Sequence, residues 1–167
     1  MNMQQQIDEA FAHRAQPTRL IESGTSTTPE QSDALWFGRD WRSITRRDWE
    51  LHPDALFAFT PEALAYYLPS VLATTLDSEG QWLQVADALI GALDRSPRVD
   101  FWDAFLSKRL VGLKPAEYEV LQAWLLWLSG LNDAWEEDTL TRAYETVELL
   151  KQETERVRRL VATTFGG

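Results

Sequence analysis

The chain contains no cysteine, which excludes disulfides, thiol nucleophiles and thiolate metal sites together. Histidine is scarce, with only His13 and His52. Each follows an acidic residue four positions earlier, Glu9 and Asp48, which is neither the Glu-x-x-His spacing of di-iron bundles nor a zinc-ligand pattern. Both read as surface or cap histidines. Gly38, Gly80, Gly91, Gly112 and Gly130 stand singly at expected helix ends or breaks, so no phosphate-cradling loop is present. A Gly-x-Ser-x-Gly nucleophile elbow is also missing. No stretch approaches the roughly 18 apolar residues of a membrane span. The segment Met1–Glu9 lacks the basic region and apolar run of a signal peptide. Positive charge is in deficit, with 16 Lys and Arg against 26 Asp and Glu, for a net charge of −10. The deficit is spread evenly: −3 in residues 1–60, −3 in 61–110 and −4 in 111–167. Such a surface repels phosphate backbones and anionic lipid and favours a cationic partner. Net negative charge also simply keeps a protein in solution. The expectations are a soluble cytoplasmic protein, no cofactor or metal, and neither nucleic acid nor membrane as partner.

Apolar residues, by contrast, are ample, at 44 % of 167 residues, and eight tryptophans can anchor one core of ordinary domain size. The most informative segment is Phe59–Pro69. Thr60 is a good N-cap, Pro61 suits the first helical position, and Glu62 places a carboxylate in the positive first turn. Leu64, Tyr67 and Leu68 fall at i, i+3, i+4 on one helix face. Pro69 either kinks one helix or separates two. Tyr66 and Tyr67 are candidates for lining a pocket, but successive helical residues point about 100° apart, so equal burial of both is not expected. A core tyrosine with its hydroxyl bonded is the alternative fate.

Periodicity places further helices along the chain. Residues 3–14 carry Ile7, Ala10, Phe11 and Arg14 on one side. Residues 22–28 read as a loop, and Thr28-Pro29-Glu30-Gln31 opens a helix that Gly38 closes. Thr45–Asp48 reads as a cap before a short helix, and 54–59 as a turn of helix or an extended link. Residues 81–94 repeat the period through Trp82, Val85, Leu89 and Leu93, and Asp100 is read as the cap of a helix carrying Phe101, Trp102, Phe105 and Leu106. Lys114-Pro115 starts a helix with Tyr118, Leu121, Leu125 and Leu128 inward, widened by Trp124 and Trp127, which suggests a central, buried position. The last helix, about 139–163, has a stripe of Leu140, Tyr144, Val147, Leu150, Val157 and Val161. No strand with a hairpin signal emerges. The expected fold is all-α, six to eight helices in a single domain over residues 1–167.

The series Ile7-Asp8-Glu9-Ala10-Phe11, Trp36-Phe37-Gly38-Arg39-Asp40-Trp41, His52-Pro53-Asp54-Ala55-Leu56 and Thr60–Pro69 resembles a family of small bacterial proteins of unknown function. Its members share an I-x-x-A-F helix, a Gly-x-x-Trp segment and a T-P-E-A-x-x-Y-Y-L-P core. The resemblance covers about residues 7–76. It implies a fold and a bacterial origin, and brings no catalytic residues.

Asp133, Trp135, Glu136, Glu137 and Asp138 crowd one short segment. Such carboxylates can hold a divalent cation or act as acid and base. They can equally favour the dipole of the helix that follows. Trp135 is expected as a surface-exposed anchor. Two functional classes follow. The first is a non-enzymatic binding protein whose acidic segment steers onto a cationic protein, as in an immunity protein that neutralises a toxin. The alternative is a carboxylate-based hydrolase or metal-dependent enzyme, or a small-ligand pocket lined by Tyr66 and tryptophans.

Overall fold

The computed structural model describes residues 1–21, 35–95, 97–131 and 134–166. The expected loop at 22–28, the helix start at Thr28–Gln31 and Asp133 lie outside the described residues. The fold is all-α. In chain order the α-helices are α1 (Met3–Phe11), α2 (Arg46–Leu51), α3 (Ala55–Ala58), α4 (Pro61–Asp77), α5 (Gln84–Leu93), α6 (Pro115–Ser129) and α7 (Glu137–Phe165). Single 3₁₀ turns lie at Trp41–Ser43 and Val99–Phe101, and a π-helical turn at Phe105–Leu110. An isolated bridge pairs Ile21 with Phe59.

Short-range side-chain chemistry sets the helix starts. Thr45 Oγ1 accepts from Asp48 N at 3.2 Å, while Asp48 accepts from Thr45 N at 2.8 Å, a reciprocal capping box on α2. Arg39 adds a charged donor at 3.2 Å. Burial works against the Asp48 charge, but the Thr45 and Arg39 donors outweigh it and lower its pKa. Thr60 caps α4 as expected, accepting from Ala63 N at 3.1 Å and donating to the Arg19 carbonyl at 2.7 Å. Asp100 is not a cap. It lies inside the 3₁₀ turn, and Asp103 instead accepts from Leu106 N at 3.2 Å, because only Asp103 stands three residues before a free helical N–H.

α4 is the most enclosed helix, with residues from Ala63 to Leu72 buried without a break. Pro69 sits inside this one helix rather than between two. Tyr66 and Tyr67 are both buried, at 4 % and 0 % exposure, contrary to expectation. Their different directions do not matter because other elements pack on α4 from several sides, including α1, α2, α3 and α5. Around Tyr67 lie Trp36 (5.4 Å), Phe59 (5.3 Å) and Tyr66 (4.9 Å), with Trp49 against Trp36 at 4.7 Å. The Tyr67 hydroxyl donates to the Trp36 carbonyl at 2.5 Å and lies 3.0 Å from that of Arg39. Trp49 Nε1 donates to Ser70 Oγ at 2.9 Å and Trp124 Nε1 to Thr75 Oγ1 at 2.7 Å. The motif Thr60–Pro69 is therefore a folding device, starting a helix and supplying an aromatic core.

α6 packs on α1 and α7, and α7 also lies along α5. Between α1 and α6, the fully buried Glu117 receives two bonds from Arg14, at 2.7 and 2.5 Å, and one from Lys114 N at 2.7 Å. The Glu117 bonds hold the Arg14 guanidinium above its ordinary pKa. Among the described residues no helix is long and apolar enough to cross a membrane.

Candidate protein-binding surface

Three segments meet at one end of the bundle: the turn after α4, the end of α6 and the start of α7. The turn is built tightly. Glu79 adopts φ +55°, Gly80 follows at φ +79°, and Gly80 N bonds to the Thr75 carbonyl at 2.8 Å. Glycine is required at Gly80 by the backbone angle, and its hydrogen lets Leu131, just past α6, approach, since a Cβ there would stand 2.3 Å from Leu131 Cδ1 and push that side chain aside. Arg46 of α2 clamps the same turn, donating to Ser78 Oγ at 2.9 Å, to the Gln81 carbonyl at 3.3 Å and to the Trp82 carbonyl. The clamp fixes the backbone and leaves the Trp82 side chain outside at 49 % exposure. Trp82 precedes the N-cap Leu83, so the helical phase that was expected to turn it inward does not reach it.

Trp135 is not the exposed anchor expected. It is half-buried against the core, and its Nε1 donates to Asp87 Oδ1 at 3.0 Å. The connection into α7 folds this indole back over α5, where the apolar ring gains cover and the N–H finds a carboxylate. Exposed apolar groups of this end include Trp82, Leu126 in the last turn of α6 and Leu131, the last 37 % exposed. Ser129, Leu131, Trp135, Glu136 and Glu137 line an open depression of about 290 Å³.

Glu136, Glu137 and Asp138 are all exposed. Glu136 occupies the N-cap position of α7 without a capping bond. The side chains of these three residues make no hydrogen bond or ion pair with the described residues. Some carboxylates elsewhere are ion-paired, Asp48 with Arg39, Asp94 with Arg142, Asp103 with Arg95, Glu153 with Arg156 and Glu155 with Arg159, whereas the side chains of Glu9, Asp54, Asp77, Glu79 and Glu145 are, like this trio, without a hydrogen bond or ion pair to the described residues. Arg142 is the instructive neighbour. Its bond to Asp94, then the charges of Asp138 and Glu136, hold its guanidinium above the ordinary value, yet its hydrogen-bonding edge is turned to Asp94, at 2.5 and 3.1 Å.

The structure thus brings together Trp135, Glu136 and Glu137, with Asp138 next in the chain, and joins to them Leu131 and Asp87, while Trp82 stands exposed on the turn that packs against Leu131; sequence reasoning assigned none of these three to this surface. The signal for Trp82 was available in Glu79-Gly80, a turn that delays the helix start. That for Asp87 was not, since its bond to Trp135 spans 48 residues. Thr60, Pro61, Glu62, Tyr66, Tyr67 and Pro69 belong to α4 and its start, and Tyr66 and Tyr67 serve the core. Among the described residues no group of three Asp, Glu or His side chains comes close enough to hold a metal ion. No protein-family model matches the chain, and neither does any curated protein or solved structure.

Proposed function

We propose that this protein acts by binding a cationic protein at the bundle end formed by Trp82, Leu131, Glu136, Glu137 and Asp138, without catalysing a reaction. The observation that carries the reading is the run of three exposed carboxylates, without a hydrogen bond or ion pair to the described residues, beside the exposed Leu131, at a bundle end where Trp82 is also exposed. Unpaired surface charge draws an oppositely charged partner over a long range and speeds encounter, whereas an exposed tryptophan supplies area that holds the complex once formed. The two contributions are separable, which makes the reading specific. The cationic partner we propose is a toxin with a basic active surface, covered by this end as an immunity protein covers its target. Affinity capture from the native cell, followed by binding kinetics with the captured protein, tests this. Replacing the three carboxylates should slow association, and Trp82→Ala should speed dissociation. Capture of no basic protein, or wild-type kinetics in both variants, defeats the proposal.

A further inference from the structure

α7 has 29 residues and is about 43 Å long at 1.5 Å per residue. The body covers only part of it. Leu150 and Thr154 are buried, but from Glu155 to Gly166 every residue is exposed. The expected inward stripe therefore ends at Thr154, and Val157 and Val161 project beyond the body. With Leu160 and Phe165 they continue the buried face for about three turns, at 38, 52, 52 and 83 % exposure for Val157, Leu160, Val161 and Phe165. At 100° per residue these four span roughly 140°, and Arg156 and Arg158 lie at its two margins. Residues 155–167 hold three arginines and one glutamate, a net +2 against −12 for the rest of the chain; Arg156 and Arg159 pair along the helix with Glu153 and Glu155 at 2.6 and 3.3 Å, and Arg158 is without an ion pair among the described residues.

An occupant with apolar and acidic groups side by side would complement this arm. Parallel pairing with the same arm of another copy sets Arg156 and Arg158 against their own copies and is disfavoured, and the acidic groups nearest the arm, Glu153 and Glu155, are already held by Arg156 and Arg159. The opposite end of α7 has the required chemistry, with exposed Leu131 lining one depression with Glu136 and Glu137, Asp138 next to them in the chain, and Trp82 exposed on the turn that packs against Leu131. We propose that the arm of one copy docks head to tail on the acidic end of a second copy. This rests on the reading of that end as a docking surface and adds a partner to it, one that competes with the cationic protein for the same carboxylates. Arm and acceptor are different surfaces, so the contact is heterologous and extends into rings or open chains.

The test is mass against concentration for the full chain, by sedimentation, with two charge reversals. One carries Arg156→Glu, Arg158→Glu and Arg159→Glu, and the other Glu136→Lys, Glu137→Lys and Asp138→Lys. All six positions are exposed, and equal thermal melts verify that both variants fold. Wild-type mass should rise above the 19.2 kDa of one chain, and less so when salt goes from about 0.1 to about 1 M and the screening length falls from ~10 to ~3 Å. Each reversal alone should shift association to at least roughly tenfold higher concentration, and an equimolar mixture of the two should restore it. Leu160→Ser, which leaves the charges intact, should weaken it as well. A wild-type chain that stays at single-chain mass overturns the inference. So does association lost in the arm reversal but kept in the end reversal, or an unrescued mixture, or wild-type chains that stay single while the arm binds anionic vesicles. If the end reversal abolishes binding of the cationic protein while self-association never appears, this inference alone fails. If the end reversal leaves both intact, the reading of the end as a docking surface fails with it.

Discussion

Removing Arg14 tests the energetics of the fold at its least hydrophobic point. Glu117 is at 0 % side-chain exposure and Arg14 at 22 %. Arg14→Ala takes away both guanidinium bonds and leaves a buried carboxylate held only by Lys114 N at 2.7 Å. Stripping one partner from a buried pair costs about 3–5 kcal/mol. Because Arg14 is partly exposed, water enters the space it vacates, so we expect the low end, about 3 kcal/mol. Arg14→Met with Glu117→Leu removes both charges and should cost less than either single change, since no unpaired charge remains. The assay is urea unfolding followed by circular dichroism, with unchanged denaturant slopes as the check that both variants unfold from the same native state. A loss under about 0.5 kcal/mol for Arg14→Ala, within the range of ordinary surface changes, refutes the reasoning, as does a double variant that costs the sum of the two.

Other expectations follow from particular bonds. Thr60→Ala should cost near the top of about 0.5–2 kcal/mol, because the hydroxyl both caps α4 and donates to Arg19, and Thr60→Ser should recover most of it; the denaturation midpoint checks both. Burial, then the neighbouring Tyr66, pushes the Tyr67 pKa up to about 12, against about 10 when unfolded. The folded state keeps a proton that the unfolded state releases, so this contribution is intact below about pH 10 and is lost as pH climbs toward 12. Tyrosinate absorbance should accordingly lag in the folded protein and be abolished as a lag in denaturant. Asp48 is held below its ordinary value, so its contribution is present at neutral pH and disappears as pH falls through the carboxylate range. Asp48→Asn should flatten the acid limb of the stability profile.

What was legible in the sequence is what depends on neighbours three or four residues apart. The caps at Thr45 and Thr60, the all-α class and the start of α6 at Pro115 all rest on such contacts. What was hidden depends on distant partners. The Arg14–Glu117 bond spans 103 residues, and no local pattern marks Glu117 as buried. Tyr66 and Tyr67 are both enclosed because several elements pack around α4, which a single helix's periodicity does not report. Val157 and Val161 follow the same period as Val147 and Leu150, yet the body ends at Thr154. Periodicity identifies the face of a helix but not how far along it a neighbour extends. The acidic segment was visible as composition. The exposure of Trp82 at this end was not, because the turn that carries it is set by contacts of Gly80 with Leu131 and of Arg46 with Ser78, Gln81 and Trp82, all distant in sequence.

The most direct test is the pair of rate constants for a captured cationic partner with wild type, with Glu136→Ser, Glu137→Ser and Asp138→Ser combined, and with Trp82→Ala. The account predicts that the triple variant associates about tenfold more slowly with little change in dissociation, and that wild-type association slows as salt shortens the screening length to about 8 Å and below. It predicts the reverse split for Trp82→Ala, with faster dissociation and an unchanged on-rate. Wild-type rates in both variants, or an on-rate indifferent to salt, would contradict it.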